Sequence, residues 1–302
     1  MRIRTGVALS LLLLAACSSG GGDDGGDPTA SASGPATTAQ TGPTAPASPT
    51  GGSETFDVTV NGLSIEGRCT GQDTGDPTAV LLHGNGGDQN GLAGLESYLA
   101  GLTRVCTYNR PGAGTSDTPE DLPRPVTEVV AEIDEVLEAA GIDPPYFVVG
   151  FSTGGELAFM FAQAHPQDVV GFVAINPGPP PFTAHIAAAR EVLSKEELQT
   201  IELPDFHGNN PEQISHTDND SILTDPLPAT MPYHILFDED CGGDTEFCDK
   251  ILRFLPDIQR SLAEIGEGGR FTWVKGAGHD IDLTRPEVVE EAIDEIWELA
   301  TG

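Results

Sequence analysis

Gly150-Phe151-Ser152-Thr153-Gly154 is the stretch that decides the fold, because of what lies on either side of it. The apolar run Tyr146-Phe147-Val148-Val149 before it predicts a strand, and Gly155 to Ala162 after it predicts a helix. A serine on a sharp turn between a strand and a helix is typical of a nucleophile elbow, in which the hydroxyl is exposed at the sheet edge. The glycines fit because the backbone approaches itself closely in such a turn. Ser152 is therefore the candidate nucleophile.

The rest of the folded part alternates strand and helix patterns. This alternation predicts one α/β domain over residues 54–302, with a mostly parallel central sheet and helices on both faces. Residues from about 179 to 230 break the alternation and are interpreted as a small inserted cap, with one helix over Ala184–Thr200. Beyond the cap we predict another single helix, over Thr245–Ile265.

The amino-terminal segment reads as an export signal. A short basic start, Met1-Arg2-Ile3-Arg4, precedes an apolar stretch that is too short for the roughly 20 residues that span a bilayer. Leu14-Ala15-Ala16-Cys17 resembles the lipobox of bacterial lipoproteins, which implies a signal peptide over 1–17 and lipidation of Cys17. The alternative is an ordinary secretory signal. Residues 18–53 are rich in Gly, Ser, Thr and Pro and are predicted to form a disordered tether. These features predict a lipoprotein anchored to the outer face of the bacterial cell membrane.

The net charge of the chain disfavours some classes of binding partner. The chain has 47 acidic and 14 basic residues, a formal net charge of −33. A surface this acidic repels nucleic acid, so no nucleic-acid partner is expected. No CxxC motif or close Cys/His grouping occurs, and we predict neither a metal nor an organic cofactor. The sequence does not indicate an oligomeric state.

A serine nucleophile requires a general base and an acid that orients it. His279 is the candidate base because it lies on a glycine-flanked loop, Gly276-Ala277-Gly278, directly after the last predicted strand. The acid is expected after the strand that ends at Phe237, where Asp238, Glu239, Asp240 and Asp244 compete. Asp240 is preferred, since the carboxylate must reach beyond the strand end, and Asp238 is the next choice.

Two backbone N–H groups are needed to bind the oxyanion of a tetrahedral intermediate. One is expected from Thr153, the residue after the nucleophile. The glycine-rich turn His83-Gly84-Asn85-Gly86-Gly87 follows a predicted strand and can approach a substrate closely, so the Asn85 amide is the second candidate. His83 is interpreted as structural.

From about residue 55 onward the chain resembles the α/β-hydrolase family. Ser152 at the nucleophile position argues against the dehalogenase and epoxide-hydrolase branches, which use an aspartate there. The chain departs from the family pattern in two places. Asn109 stands where Asp is usual, and the strand before the acid lacks the usual Gly at its end. The second departure leaves the identity of the acid open between Asp240 and Asp238. The shared motifs are His83-Gly84, the turn from Asn109 to Asp117 (NRPGAGTSD), Gly150 to Gly154, and Gly276 to His279.

Four cysteines remain in the folded part, and export to an oxidising space favours disulfides. Three pairings are possible. The resemblance implies a sheet order in which the strands that carry Cys69 and Cys106 are adjacent. It therefore implies a Cys69–Cys106 bridge and leaves Cys241 and Cys248 to close a short loop.

Together these features predict a serine hydrolase that cleaves an ester or related acyl bond of a small molecule through an acyl-enzyme. Ser152 attacks, His279 transfers the proton and Asp240 orients His279. One alternative is a peptidase on short peptides, similar to a proline iminopeptidase, in which acidic cap residues hold the substrate amine. Another is a catalytically silent binding scaffold. The candidate amine-binding residues are Glu191, Glu196, Glu197 and Asp205.

Overall fold

The structure is a computed structural model that describes residues 52–178, 181–202, 211–238 and 245–302. All of these belong to one compact unit. The predicted signal peptide and most of the tether, including Cys17, lie outside the described residues, as do Asp205, Asp240 and Cys241.

Eight of the described strands form one sheet, in the order β1-β2-β4-β3-β6-β7-β9-β10. β2 is antiparallel to both β1 and β4, and the remaining neighbours are parallel, as predicted. The strands are β1 (Ser53–Val60), β2 (Leu63–Thr70), β3 (Thr78–Leu82), β4 (Val105–Tyr108), β5 (Arg124–Pro125), β6 (Tyr146–Phe151), β7 (Val169–Ile175), β8 (Ile214–Ser215), β9 (Tyr233–Phe237) and β10 (Gly269–Trp273).

Helices cover both faces of the sheet. They are α1 (Ala93–Leu99), α2 (Val126–Ala139), α3 (Thr153–Ala164), α4 (Phe182–Arg190), α5 (Lys195–Glu202), α6 (Ser221–Thr224), α7 (Thr245–Ile251), α8 (Leu255–Leu262), α9 (Ile281–Thr284) and α10 (Pro286–Thr301). Within the described ranges, none of them is both long and apolar enough to cross a membrane.

Two of the predicted helices are each divided in two. The helix predicted over Ala184–Thr200 is broken because Ser194 and Glu197 form a reciprocal capping box that starts α5. The helix predicted over Thr245–Ile265 is broken before Pro256, which lies in the first turn of α8, where its missing N–H costs no helical hydrogen bond.

The core consists of two apolar layers, one on each side of the sheet. Successive residues of β3 point to opposite sides, with Val80 and Leu82 in one layer and Ala79 and Leu81 in the other. The first layer includes residues of α2 and α3, and the second includes residues of α1 and α10. Strands buried on both faces explain the continuous apolar runs in the sequence.

The described part of the predicted cap, residues 181–202 and 211–230, is called the cap segment below. A short parallel pairing of β8 with β5 joins it to the body of the domain, with Arg124 opposite Ile214. Sequence patterns did not predict these two-residue strands. The side chains of Thr183 and Asp220 also hydrogen-bond to each other within the cap segment.

The expected bridge between Cys69 and Cys106 is present. The two cysteines lie directly opposite each other on the antiparallel strands β2 and β4, and their Cα atoms are 4.0 Å apart. Cys248 is also disulfide-bonded. Its predicted partner, Cys241, lies outside the described residues, so that pairing stays a prediction.

Candidate active site

Ser152 lies at a sharp turn between β6 and α3, with a φ of 54° and a ψ of −121°. A positive φ is uncommon for a residue with a side chain and marks a strained backbone that the surrounding structure must hold. Two glycines allow the turn, because a Cβ on Gly150 would lie 2.0 Å from the carbonyl oxygen of Gly154, and one on Gly154 would lie 2.1 Å from that of Leu82. The sharp strand-to-helix turn predicted around Ser152 is therefore present.

The glycine-rich turn after β3 packs against the elbow. A Cβ on Gly84 would lie 3.2 Å from the Cβ of Ser152, so the two turns are in contact. Within the first turn, the amide of Gly86 donates to Glu212 and the amide of Gly87 donates to the carbonyl of Gly84. Neither of these two amides is therefore the candidate oxyanion donor.

His83, at the start of this turn, is buried and held on both ring nitrogens. Its Nδ1 lies 2.8 Å from the carbonyl oxygen of Gly84, and its Nε2 accepts from the backbone N–H of Arg110 at 3.3 Å. Burial, and secondarily the charge of Arg110, lower the pKa of His83 well below its ordinary value. The imidazole is therefore neutral at physiological pH, with the proton on Nδ1.

His279 lies at the same edge of the sheet, on the loop between β10 and α9. Its ring centroid is 5.0 Å from that of Phe151, the residue before the nucleophile. The loop and the elbow are thus brought together from positions far apart in the chain. Across the described ranges, no hydrogen bond joins the Ser152 hydroxyl to the imidazole.

Asn176 holds His279 in place and was not identified from the sequence. Its Nδ2 lies 3.2 Å from the carbonyl oxygen of His279 and 3.1 Å from the ring Nδ1. Because a carbonyl oxygen can only accept, the amide nitrogen faces His279, and Nδ1 must accept as well. Asn176 also has a positive φ of 46°. Its position, directly after β7 and between the elbow strand and β9, is the signal that could have pointed to it.

Of the two candidate acids, the structure describes only Asp238. Its side chain is buried at the end of β9, and its Oδ1 accepts from the backbone N–H of Ala277, on the loop that carries His279, at 3.3 Å. Its own N–H donates to Oδ1 of Asn176 at 3.4 Å. Asp240 lies outside the described residues, so its predicted role is not tested.

Of the four acidic residues considered for amine binding, three lie in the described part of the cap segment. Glu197 forms an ion pair with Lys250 at 2.7 Å. Glu191 and Glu196 are exposed, and Asp205 lies outside the described residues. In the part of the chain that the structure describes, no cluster of three or more His, Cys, Asp or Glu side chains could hold a metal ion.

Comparison with known proteins agrees with this architecture. Residues 77–198 match the family model described as "alpha/beta hydrolase fold". The chain is similar to the uncharacterized protein YqjL of Bacillus subtilis (strain 168), with 21% identity over 193 residues that cover 64% of this chain and 72% of YqjL. It is also similar to a protein of Nocardia uniformis subsp. tsuyamanensis named "Putative esterase NocK", with 32% identity over 120 residues, 35% of each chain.

A solved structure gives the same fold. Carboxylesterase CesB (YbfK) from Bacillus subtilis aligns with a TM-score of 0.57 and 16% identity, covering 81% of this chain and 91% of that one. The chain therefore has the α/β-hydrolase fold. It spans between 15% and 72% of the length of the first curated relatives that it matches.

Proposed function

We propose that the protein is a serine hydrolase that cleaves an ester or related acyl bond of a small molecule through an acyl-enzyme. One observation carries this proposal: the backbone of Ser152 has a φ of 54°, in a glycine-lined turn that contacts Gly84. Strain of this kind persists only where the surrounding structure enforces it, and it occurs preferentially at reacting groups. The nearby ring of His279 and the esterase name of one relative support the same reaction class.

In the proposed reaction, Ser152 Oγ attacks the acyl carbon while His279 takes the hydroxyl proton. The N–H groups of Thr153 and Asn85 stabilise the oxyanion of the tetrahedral intermediate. His279 then gives its proton to the leaving alcohol as the bond to the acyl group breaks. Water attacks the acyl-enzyme by the same route, with His279 as base, and releases the acid and the free serine.

Asp240 is the proposed orienting acid, and Asp238 is the alternative. An orienting carboxylate accepts a hydrogen bond from Nδ1–H of the base, so that Nε2 is free to take the serine proton. The Nδ2 group of Asn176 faces Nδ1 of His279 instead. We therefore propose that the structure represents a resting arrangement and that Nδ1 exchanges the amide for a carboxylate during turnover.

Substrate profiling tests the reaction class. We expect the purified protein to hydrolyse p-nitrophenyl esters and to leave aminoacyl p-nitroanilides essentially intact, and Ser152→Ala to abolish the esterase activity. Preferential cleavage of the anilides would favour the peptidase alternative. No turnover of either series by folded protein would favour a silent binding scaffold.

We also propose that the protein is anchored to the outer face of the cell membrane by lipidation of Cys17. This rests on the basic start, the apolar stretch and the residues Leu14-Ala15-Ala16-Cys17. Metabolic labelling with an alkyne fatty acid in a bacterial host tests it. We expect a labelled membrane-fraction protein whose label is lost in Cys17→Ser, and an unlabelled wild-type protein would contradict the proposal.

A further inference from the structure

A buried ion pair lies behind the glycine-rich turn that faces Ser152. Nε of Arg110 is 2.8 Å from a carboxylate oxygen of Glu212, and the exposed fractions of the two side chains are 1% and 0%. Arg110 follows β4 in the body of the domain, whereas Glu212 belongs to the cap segment. Burying two charges costs desolvation free energy unless the remaining donors of the guanidinium and the second oxygen of the carboxylate are also hydrogen-bonded. The partners of those groups therefore show what the ion pair stabilises.

Those remaining groups bind the turn itself. Arg110 donates from Nη1 to the carbonyl of His83 at 2.6 Å and from Nη2 to the carbonyl of Gly84 at 3.0 Å. The second oxygen of Glu212 accepts from the backbone N–H of Gly86 at 2.9 Å. The ion pair therefore binds both peptide groups that flank Asn85, one through the Gly84 carbonyl and the other through the Gly86 amide.

Peptide planarity gives these contacts a consequence for Asn85. In a trans peptide the N–H points opposite to the carbonyl of the preceding residue. With the Gly84 carbonyl held by Arg110, the Asn85 N–H is directed away from the ion pair. Donors stabilise an oxyanion effectively when their orientation is fixed before the reaction begins. A glycine-rich turn is flexible, so contacts from outside the turn are needed to fix the orientation of the Asn85 N–H.

We propose that Glu212 is a positioning residue, which fixes the orientation of the Asn85 N–H through its contacts with Arg110 and Gly86. The cap segment, when packed against the domain, thereby completes the oxyanion site. This inference rests on the proposed function. It makes turnover depend on the contacts of one residue in a segment that is remote in sequence from the nucleophile, the base and both candidate acids. Glu212 touches no reacting atom in this scheme.

The protein offers a matched control in a second buried ion pair. Arg124 and Glu132 are 2.7 Å apart, with exposed fractions of 4% and 6%. Arg124 lies on β5, which pairs with the cap segment at Ile214, so this pair also supports the cap segment. Within the described residues, however, the side-chain hydrogen bonds of this pair do not reach the glycine-rich turn. Breaking the Arg124–Glu132 pair should lower the free energy of unfolding without changing the orientation of the Asn85 N–H.

The test compares Glu212→Ala, Glu212→Gln and Glu132→Gln with the wild type. Measurements are kcat and KM for a p-nitrophenyl ester, the rate of labelling by a fluorophosphonate, and the melting temperature.

We expect Glu212→Ala to lower kcat and the labelling rate about 100-fold, which is the effect of losing one oxyanion donor, with KM changed less than threefold. Glu212→Gln keeps an acceptor for Gly86 but loses the charge, so a loss of about tenfold is expected. Glu132→Gln should melt at a lower temperature with kcat within about threefold of wild type.

Equal kcat values for Glu212→Gln and Glu132→Gln, at comparable melting temperatures, would overturn the proposal. So would a change confined to KM. If Glu212→Ala does not fold, Glu212→Gln decides the question. Failure of both Glu212 variants to fold while Glu132→Gln folds would make Glu212 a determinant of the fold and would also overturn it. A folded wild type that neither turns over the ester nor reacts with the phosphonate would instead refute the proposed function, on the wild type alone.

Discussion

The Nδ2 atom of Asn176 lies 3.1 Å from Nδ1 of His279, the position that a carboxylate occupies in an assembled Ser-His-acid triad. The same atom is 3.2 Å from the carbonyl oxygen of His279, which identifies it as the amide nitrogen. The imidazole is thereby held with Nδ1 as acceptor. In this arrangement Nε2 carries the proton and cannot accept another from the serine.

Replacing this amide by a carboxylate should therefore change the titration of the base. In Asn176→Asp the new side chain tolerates the positive φ, and its carboxylate would accept a hydrogen bond from Nδ1–H. A negative charge next to the imidazole raises the pKa of the imidazolium, so the acidic limb of the kcat/KM profile of Asn176→Asp should move up by about 1 pH unit or more. Asn176→Ala, the control, supplies no charge and should show no such upward shift. An unchanged profile for Asn176→Asp would contradict the geometry.

The choice of orienting acid is tested by paired substitutions. We expect Asp240→Asn to lower kcat by a factor on the order of 10⁴, since an amide cannot stabilise the imidazolium or select the required tautomer. Asp238→Asn should lose less, because an Asn oxygen can still accept from the N–H of Ala277. Steady-state kinetics of both variants on one ester decide the assignment. A larger loss in Asp238→Asn would transfer the role to Asp238.

The elbow should not tolerate even one methyl group. A Cβ on Gly154 would lie 2.1 Å from the carbonyl oxygen of Leu82. Gly154→Ala should therefore lower the free energy of unfolding by about 2–3 kcal/mol and reduce esterase activity at least 100-fold. The control is Gly94→Ala, at an exposed position in α1 where a Cβ meets nothing within 4 Å. That variant should be active and as stable as wild type or up to about 1 kcal/mol more stable, by urea unfolding. Full activity of Gly154→Ala would rule out the turn geometry.

Burial of a histidine makes stability depend on pH. Burial lowers the pKa of His234 to about 4, against about 6.5 in an unfolded chain. As the pH falls from about 6.5 towards 4, the unfolded chain binds this proton first, so the free energy of unfolding decreases. Removing the histidine should make this dependence shallower by about 1.4 kcal/mol per pH unit within that window. Urea unfolding of wild type and His234→Gln across pH 4 to 7 measures it, and parallel curves would show that His234 titrates normally.

Local patterns sufficed for the parts of the fold in which neighbouring residues carry the information. The elbow at Ser152 and the alternation that buries both faces of the sheet are examples. Pairings between distant residues were not predictable in the same way. Glu212 lies in a stretch without periodicity, and its partner Arg110 is far away in the sequence, so nothing local marks the ion pair.

The role of Asn176 was not predicted from the sequence for a different reason. Followed by proline and glycine, Asn176 reads as the residue at which the chain leaves a strand, and it lies directly after β7. That position could have marked it as a candidate, but its contact with His279 depends on the loop after β10, which is distant in the sequence. The break before Pro256, in contrast, could have been predicted, because a proline favours the first turn of a helix over its interior.

The most direct test of the central claim is covalent labelling with a fluorophosphonate, read by intact-protein and peptide mass spectrometry. If Ser152 is the nucleophile and His279 its base, the folded wild type should gain one phosphonate on the peptide that contains Ser152. Ser152→Ala should gain none, and His279→Ala should react at least 100-fold more slowly. Labelling of Ser152→Ala at the wild-type rate, or no adduct on the folded wild type, would contradict the account.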